Sequence, residues 1–215
     1  MINSEKILNN IIENNMIIDE KHIPGIDMYM DQVTTFMDKF LKNNKRFEDD
    51  KILTKTMINN YAKNDLLPPP VKKRYSKQHV IMLIFIYYFK SFLSINDIKT
   101  LLSPISEKYF EGHENVSIDD IYNEVCELEQ QLKNDIKEDI IKKIDFSKEF
   151  FNDVSENDKD FLQLFMLINA LSYDVYIKKQ MIESIVDELN SLNESSNNDS
   201  KESSKKEHKK TDKSK

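Results

Sequence analysis

Residues 72–75 read Lys-Lys-Arg-Tyr: three cations able to neutralise phosphates beside a phenol able to donate one hydrogen bond. Upstream, a short polar segment presents Lys55, Thr56, Asn59, Asn60 and Lys63 on one side, and the amide of Asn59 or Asn60 can pair bidentately with adenine in a major groove. This is the chemistry of recognition rather than of bond making. Residues 51–100 hold nine Lys and Arg against only Asp65 and Asp97, a local net of +7, so the remaining residues carry −14 within a chain whose total is −7. A basic segment inside an acidic chain is the electrostatic footprint of a polyanion-binding module, and overall acidity does not exclude one. Lysine-rich helical faces are more often simply solvated, so charge alone does not decide the matter.

The elements that must position these groups follow from caps and spacing. Thr54 is an N-cap for a helix over Lys55–Asn64, with Met57, Ile58 and Tyr61 at helical spacing on the face opposite the polar set. Pro68-Pro69-Pro70 cannot continue that helix and biases the preceding residues toward extended geometry, so the chain leaves as a stiff arm carrying Lys72, Lys73, Arg74 and Tyr75. Ser76 caps an apolar helix to about Ser91, and Ser94 with Asp97 makes an acidic capping box for a helix ending near Ser103-Pro104. Before the basic segment, Ile23-Pro24-Gly25 makes a turn and Asp27 caps a helix to about Leu41. Residues 1–22 read as a partly helical extension.

Several classes of chemistry fall away. With only Gly25 and Gly112, neither a dinucleotide-binding turn nor a phosphate-binding loop of the glycine-rich kind can be built. Cys126 is the single cysteine, which excludes an intramolecular disulfide and a multi-cysteine zinc site. His22, His79, His113 and His208 are scattered; Glu111, His113 and Glu114 are close in sequence but fall in a loop. No catalytic, metal or cofactor site is expected, and the protein is not read as an enzyme. Tyr87, Tyr88, Phe89 and Phe92 could stack on single-stranded bases, but their apolar neighbours point to burial. The longest apolar run, Val80–Phe89, is shorter than the roughly 18 residues a membrane span needs. The first residues, MINSEKILNNIIENN, lack the basic start and apolar centre of a signal peptide. A cytoplasmic location with no membrane partner is the expectation.

The second half is helical. Over 117–144, Ile118, Ile121, Val125, Leu128, Leu132, Ile136, Ile140 and Ile144 recur every three or four residues, a narrow stripe suited to a partner helix. Residues 158–189 return to helix with apolar side chains on much of the circumference. The pair reads as a homodimer interface or as a pocket for a small-molecule effector, and the narrow stripe favours the interface. From Ser191 the chain is Ser, Asn, Lys and Glu without an apolar residue after Leu192, so 191–215 read as a disordered tail.

At Leu53-Thr54 through Leu66-Leu67-Pro68, at Arg74-Tyr75-Ser76 and at Leu93-Ser94-Ile95 through Leu101-Leu102, the chain resembles the DNA-binding domain of MerR-type regulators. A wider stretch, residues 23–190 including IPGIDMYMDQVTTFMDKF, is similar to a bacterial family known only as domain of unknown function 1836, itself thought similar to MerR-type domains. The resemblance implies that Lys55–Asn64 is a recognition helix, that Pro68–Tyr75 is a shortened wing, and that Arg74 and Tyr75 contact phosphates. Lys63 stands where that pattern has an arginine. Asn59 and Asn60 replace the arginine and first tyrosine of the recognition motif, Asp65 replaces its terminal glycine, and the segment from Pro70 to Tyr75 is too short for the usual two-stranded hairpin.

The expectation is therefore an all-α protein. A MerR-like winged helix-turn-helix domain with a shortened wing spans 23–104, and a helical dimerisation or effector domain spans 115–190. Its expected role is a transcriptional regulator that binds double-stranded DNA, with homodimerisation through 117–144 and 158–189. The competing expectation is a helical protein interaction module that never touches DNA.

Overall fold

A computed structural model describes residues 2–14, 17–112 and 115–211, with side chains at all of these except 157 and those from 194 onward. The fold is mostly helical, with seven α-helices and one two-stranded sheet among the described residues. In chain order these are α1 (Ser4–Asn14), β1 (Met28–Tyr29), α2 (Met30–Leu41), α3 (Lys55–Lys63), β2 (Arg74–Tyr75), α4 (Lys77–Phe89), α5 (Ile95–Tyr109), α6 (Ile118–Ser147) and α7 (Glu156–Thr211).

The central element is α4. Its residues from His79 through Ile86 are all buried, so it is wet on no side and must be wrapped by its neighbours. Around it lie Val33 and Met37 of α2, Ile58 of α3, Ile98 and Leu102 of α5, and Ile118 and Tyr122 of α6. This first core runs in sequence from Ile17 to Tyr122, taking in residues on both sides of the 23–104 span. A second, smaller core gathers Leu8 of α1, Ile144 of α6 and Leu167 of α7. The helices α6 and α7 pack along each other and join the two cores, and α7 returns to α5, where Ile182 meets the first core and Val186 is buried.

Three element boundaries depart from the sequence reading. Asp27 does not cap α2: Met28 and Tyr29 pair antiparallel with Tyr75 and Arg74, so the helix starts only at Met30, and Gln32 Oε1 accepts the Tyr29 N–H at 2.8 Å. Nor does α5 stop at Ser103-Pro104. Proline removes one backbone donor and crowds the preceding turn, but Ile105 and Phe110 beyond it pack against the first core, and that burial carries the helix through to Tyr109. Past Ser191, where composition pointed to a disordered tail, α7 remains helical to Thr211. Lys and Glu are good helix formers, and extending an existing helix avoids the cost of nucleation.

Candidate nucleic-acid interface

The polar face of α3 is built as the cap predicted. Thr54 Oγ1 accepts the Met57 N–H at 3.1 Å, Ile58 and Tyr61 turn into the core, and Lys55, Thr56, Asn59, Asn60 and Lys63 are all exposed. The helix ends in paired bonds from Leu66 N–H to Tyr61 O at 2.9 Å and from Asp65 N–H to Ala62 O at 3.4 Å. This closing motif requires a left-handed residue, and Asp65 supplies it at φ 57°.

After the prolines the chain folds into a minimal turn. Val71 O accepts the Arg74 N–H at 2.9 Å, and Lys72 and Lys73 between them sit at φ 50° and 63°. Two left-handed central residues are what a type I′ hairpin turn demands, and glycine or asparagine usually occupy such positions. An ordinary L-residue costs about 1–2 kcal/mol there. Both places are nonetheless lysine, and both side chains are exposed. The segment expected to be too short for a hairpin thus closes one with a single bridge, Val71 to Arg74, and its outgoing strand pairs with β1 rather than with a long wing partner.

The two basic elements are tied to one turn of α2. Lys55 forms an ion pair with Asp31, while the Arg74 guanidinium donates to Tyr29 Oη at 3.4 Å and lies 5.4 Å above the Tyr29 ring. Tyr29 is the N-cap of α2 and Asp31 lies in its first turn, so the start of α3 and the Lys72–Lys73 turn flank a common surface.

Tyr75 is a correction. Successive strand residues point to opposite faces; with Arg74 outward, Tyr75 points inward, only 3% exposed, its ring edge-on to His79 at 5.5 Å. Burial raises its phenol pKa, and it cannot reach a phosphate from this position. The local +7 is also less available than the count suggests. Lys77 bridges Glu20 and Asp119, the latter at 2.6 Å, and although burial opposes its charge, bonds to those two carboxylates raise its pKa. Lys90 donates to Ile52 O at 2.8 Å, and its pKa is lowered by burial. Lys99 reaches Asp65 at 3.3 Å, a pair that already cancels within the +7. What remains turned to solvent is Lys51, Lys55, Lys63, Lys72, Lys73 and Arg74.

The sequence reading passed over His79. It is 3% exposed, its Nδ1 accepts the Ser76 N–H at 3.0 Å at the start of α4, and burial lowers its pKa. The signal was there, three residues after the cap serine where a glutamate or glutamine usually closes the box. Of the aromatic set, Tyr87, Tyr88 and Phe89 are partly buried against the first core, while Phe92 stays exposed. Cys126 is half-buried, its thiol pKa raised by burial. His113 and Glu114 lie outside the described residues. A cleft of about 360 Å³, lined by Val71 and Phe110 as well as by Asp27, Arg74, His79 and Asp119, lies at the base of the turn. Among the described residues, no helix is long and apolar enough to cross a membrane.

These features define a class: a helical domain wrapped on a buried central helix, with a two-residue strand pair holding a lysine turn beside a short polar helix. The family described as domain of unknown function (DUF1836) matches residues 18–125, and the chain belongs to it. The match ends within α6, well short of residue 190, and nearly coincides with the first core from Ile17 to Tyr122. No curated protein and no solved structure matches the chain.

Proposed function

We propose that this protein is a double-stranded DNA-binding regulator with a MerR-like winged helix-turn-helix domain. In this reading Lys55, Thr56, Asn59, Asn60 and Lys63 of α3 enter a major groove, and Lys72, Lys73 and Arg74 grip the flanking backbone as a minimal wing. Tyr75 acts from beneath, fixing the strand that carries Arg74. The observation that carries the reading is the convergence of two basic elements on Tyr29 and Asp31, joined to a turn that keeps lysine in two left-handed positions. Backbone strain retained with exposed charge at its tip is a motive for function, because glycine or asparagine would satisfy the fold alone. The connection over residues 42–54 is longer than the three- or four-residue turn of compact helix-turn-helix units, so α2 supports α3 more loosely than in those.

Replacing Lys72, Lys73 and Arg74 together with alanine should weaken binding to all duplexes and lower the slope of log affinity against log salt by about 2–3. Asn59→Ala with Asn60→Ala should instead relax preference among sequences. If both sets act equally on every duplex, the role given to α3 is wrong. The exposed apolar side chains of α7 favour a second reading, a protein interaction module. That module would tolerate loss of the three cations and show little salt dependence.

A further inference from the structure

The helical half leaves an apolar face uncovered. Between α1, the C-terminal part of α6 and the first half of α7 runs a groove of about 470 Å³ lined almost wholly by aliphatic side chains, with Leu8, Ile140, Ile144 and Leu167 at its floor. Ile7, Ile11, Ile136 and Ile168 form its rim, each about half exposed. Beside it, Phe161, Phe165, Val175 and Tyr176 continue along one side of α7, all more than half exposed, with the two phenylalanine rings stacked at 6.5 Å. Groove and aromatic ridge therefore sit next to each other on one face, the arrangement a two-fold interface needs for each copy to offer both knob and hole.

We infer that this face is covered by a second copy of the chain, with Phe161, Phe165 and Tyr176 of each protomer seated along the isoleucine groove of the other. The area fits. At about 150–250 Å² per ring, the three aromatics leave roughly 270–450 Å² uncovered at their exposures. Ile2, Ile7, Ile11, Ile136, Ile168 and Val175 add roughly 200–400 Å², taking about 60–120 Å² as the surface behind 1.5–3 kcal/mol per buried side chain. A stable interface buries about 800 Å² per partner, up to about 65% of it apolar in homodimers, so the apolar part required is on the order of 500 Å². Two of the lysines beside the groove are already paired within the chain, which lowers the charge a partner must meet: Lys143 lies between Asp139 and Asp174, and Lys148 reaches Asp145 at 2.8 Å and Glu5 at 4.0 Å. An amphiphile lying in the groove would leave the aromatic ridge in water.

This assigns a role to α1, which sequence left open, and it does not depend on DNA binding. The test is sedimentation equilibrium of the full chain at micromolar concentration, with circular dichroism to check folding. Wild type should be a dimer. Phe165→Glu with Ile168→Glu should raise the dissociation constant by roughly thirtyfold or more while the helical signal is kept. Phe161→Ser alone should give a smaller shift in the same direction, which covers the case of a double variant that does not fold. Met181→Glu, exposed on the other side of α7, should leave the dimer intact. A monomeric wild type, with or without a co-purified lipid, or a dimer indifferent to Phe161→Ser and the double variant, overturns the inference.

Discussion

The two cores are made of the same kinds of residue and end differently. Around α4 nearly every large apolar side chain finds partners within the chain: from Val80 to Ile86 none is more than 7% exposed. Along α1, α6 and α7 apolar residues are sparser and recur at helical spacing, yet Leu128, Leu132, Phe161, Phe165 and Tyr173 remain in solvent. The first region is closed by contacts within the chain, Ile182 of α7 among them. The second leaves an apolar face exposed. The family match stops close to where the first core stops in sequence, at Tyr122, with Ile182 of α7 adding to that core from outside the match.

That contrast is open to direct attack. The largest effect belongs to the closed core, where Ile84→Ala should cost about 2–5 kcal/mol in denaturant unfolding. Phe165→Ala, removing a larger side chain from the open face, should shift monomer stability by no more than about 0.5 kcal/mol. Equal losses would mean that the face is covered within the chain. Next in size is the turn. Lys72→Asn with Lys73→Gly relieves two left-handed L-residues and should raise stability by about 1–2 kcal/mol. The same change should cost DNA affinity and about 2 in salt slope. A turn that gains stability without losing affinity would separate the strain from the function.

The smallest effect concerns Glu129 of α6, which accepts the Ile17 N–H at 3.0 Å. Burial raises its pKa above the ordinary glutamate value near 4.5, outweighing that bond. A folded-state pKa above the unfolded one makes a contribution fully present below pH 4.5 and lost as pH rises through the folded value. Glu129→Gln should therefore be more stable than wild type at neutral pH, with the gap closing toward pH 4. Thermal melts at the two pH values measure it.

Where capping chemistry was strong, the structure was legible in advance. Thr54, Ser76, and Ser94 with Asp97 mark helix starts as read, and Asp65 takes the left-handed place expected from its stand-in for glycine. Two-residue strands have no period to detect, so the pairing of Met28–Tyr29 with Arg74–Tyr75 was invisible, and with it the inward turn of Tyr75. Pro104 illustrates a local rule overridden by packing of Ile105 and Phe110. The basic count over 51–100 misled in one respect: Lys77 is held by Glu20 and Asp119 from outside the segment and Lys90 is half-buried on Ile52 O, which no linear count can reveal. The convergence of Lys55 and Arg74 on α2 depends on residues far apart in sequence and needed the fold to appear.

DNA binding is the central claim, and titration of the intact protein with mixed-sequence duplex at two salt concentrations tests it most directly. With Lys55, Lys63, Lys72, Lys73 and Arg74 on phosphates or bases, log affinity should fall with log salt at a slope of about −3 to −5 per protomer. Absence of binding at low salt, or an affinity indifferent to salt, would contradict the account and leave the interaction module as the reading.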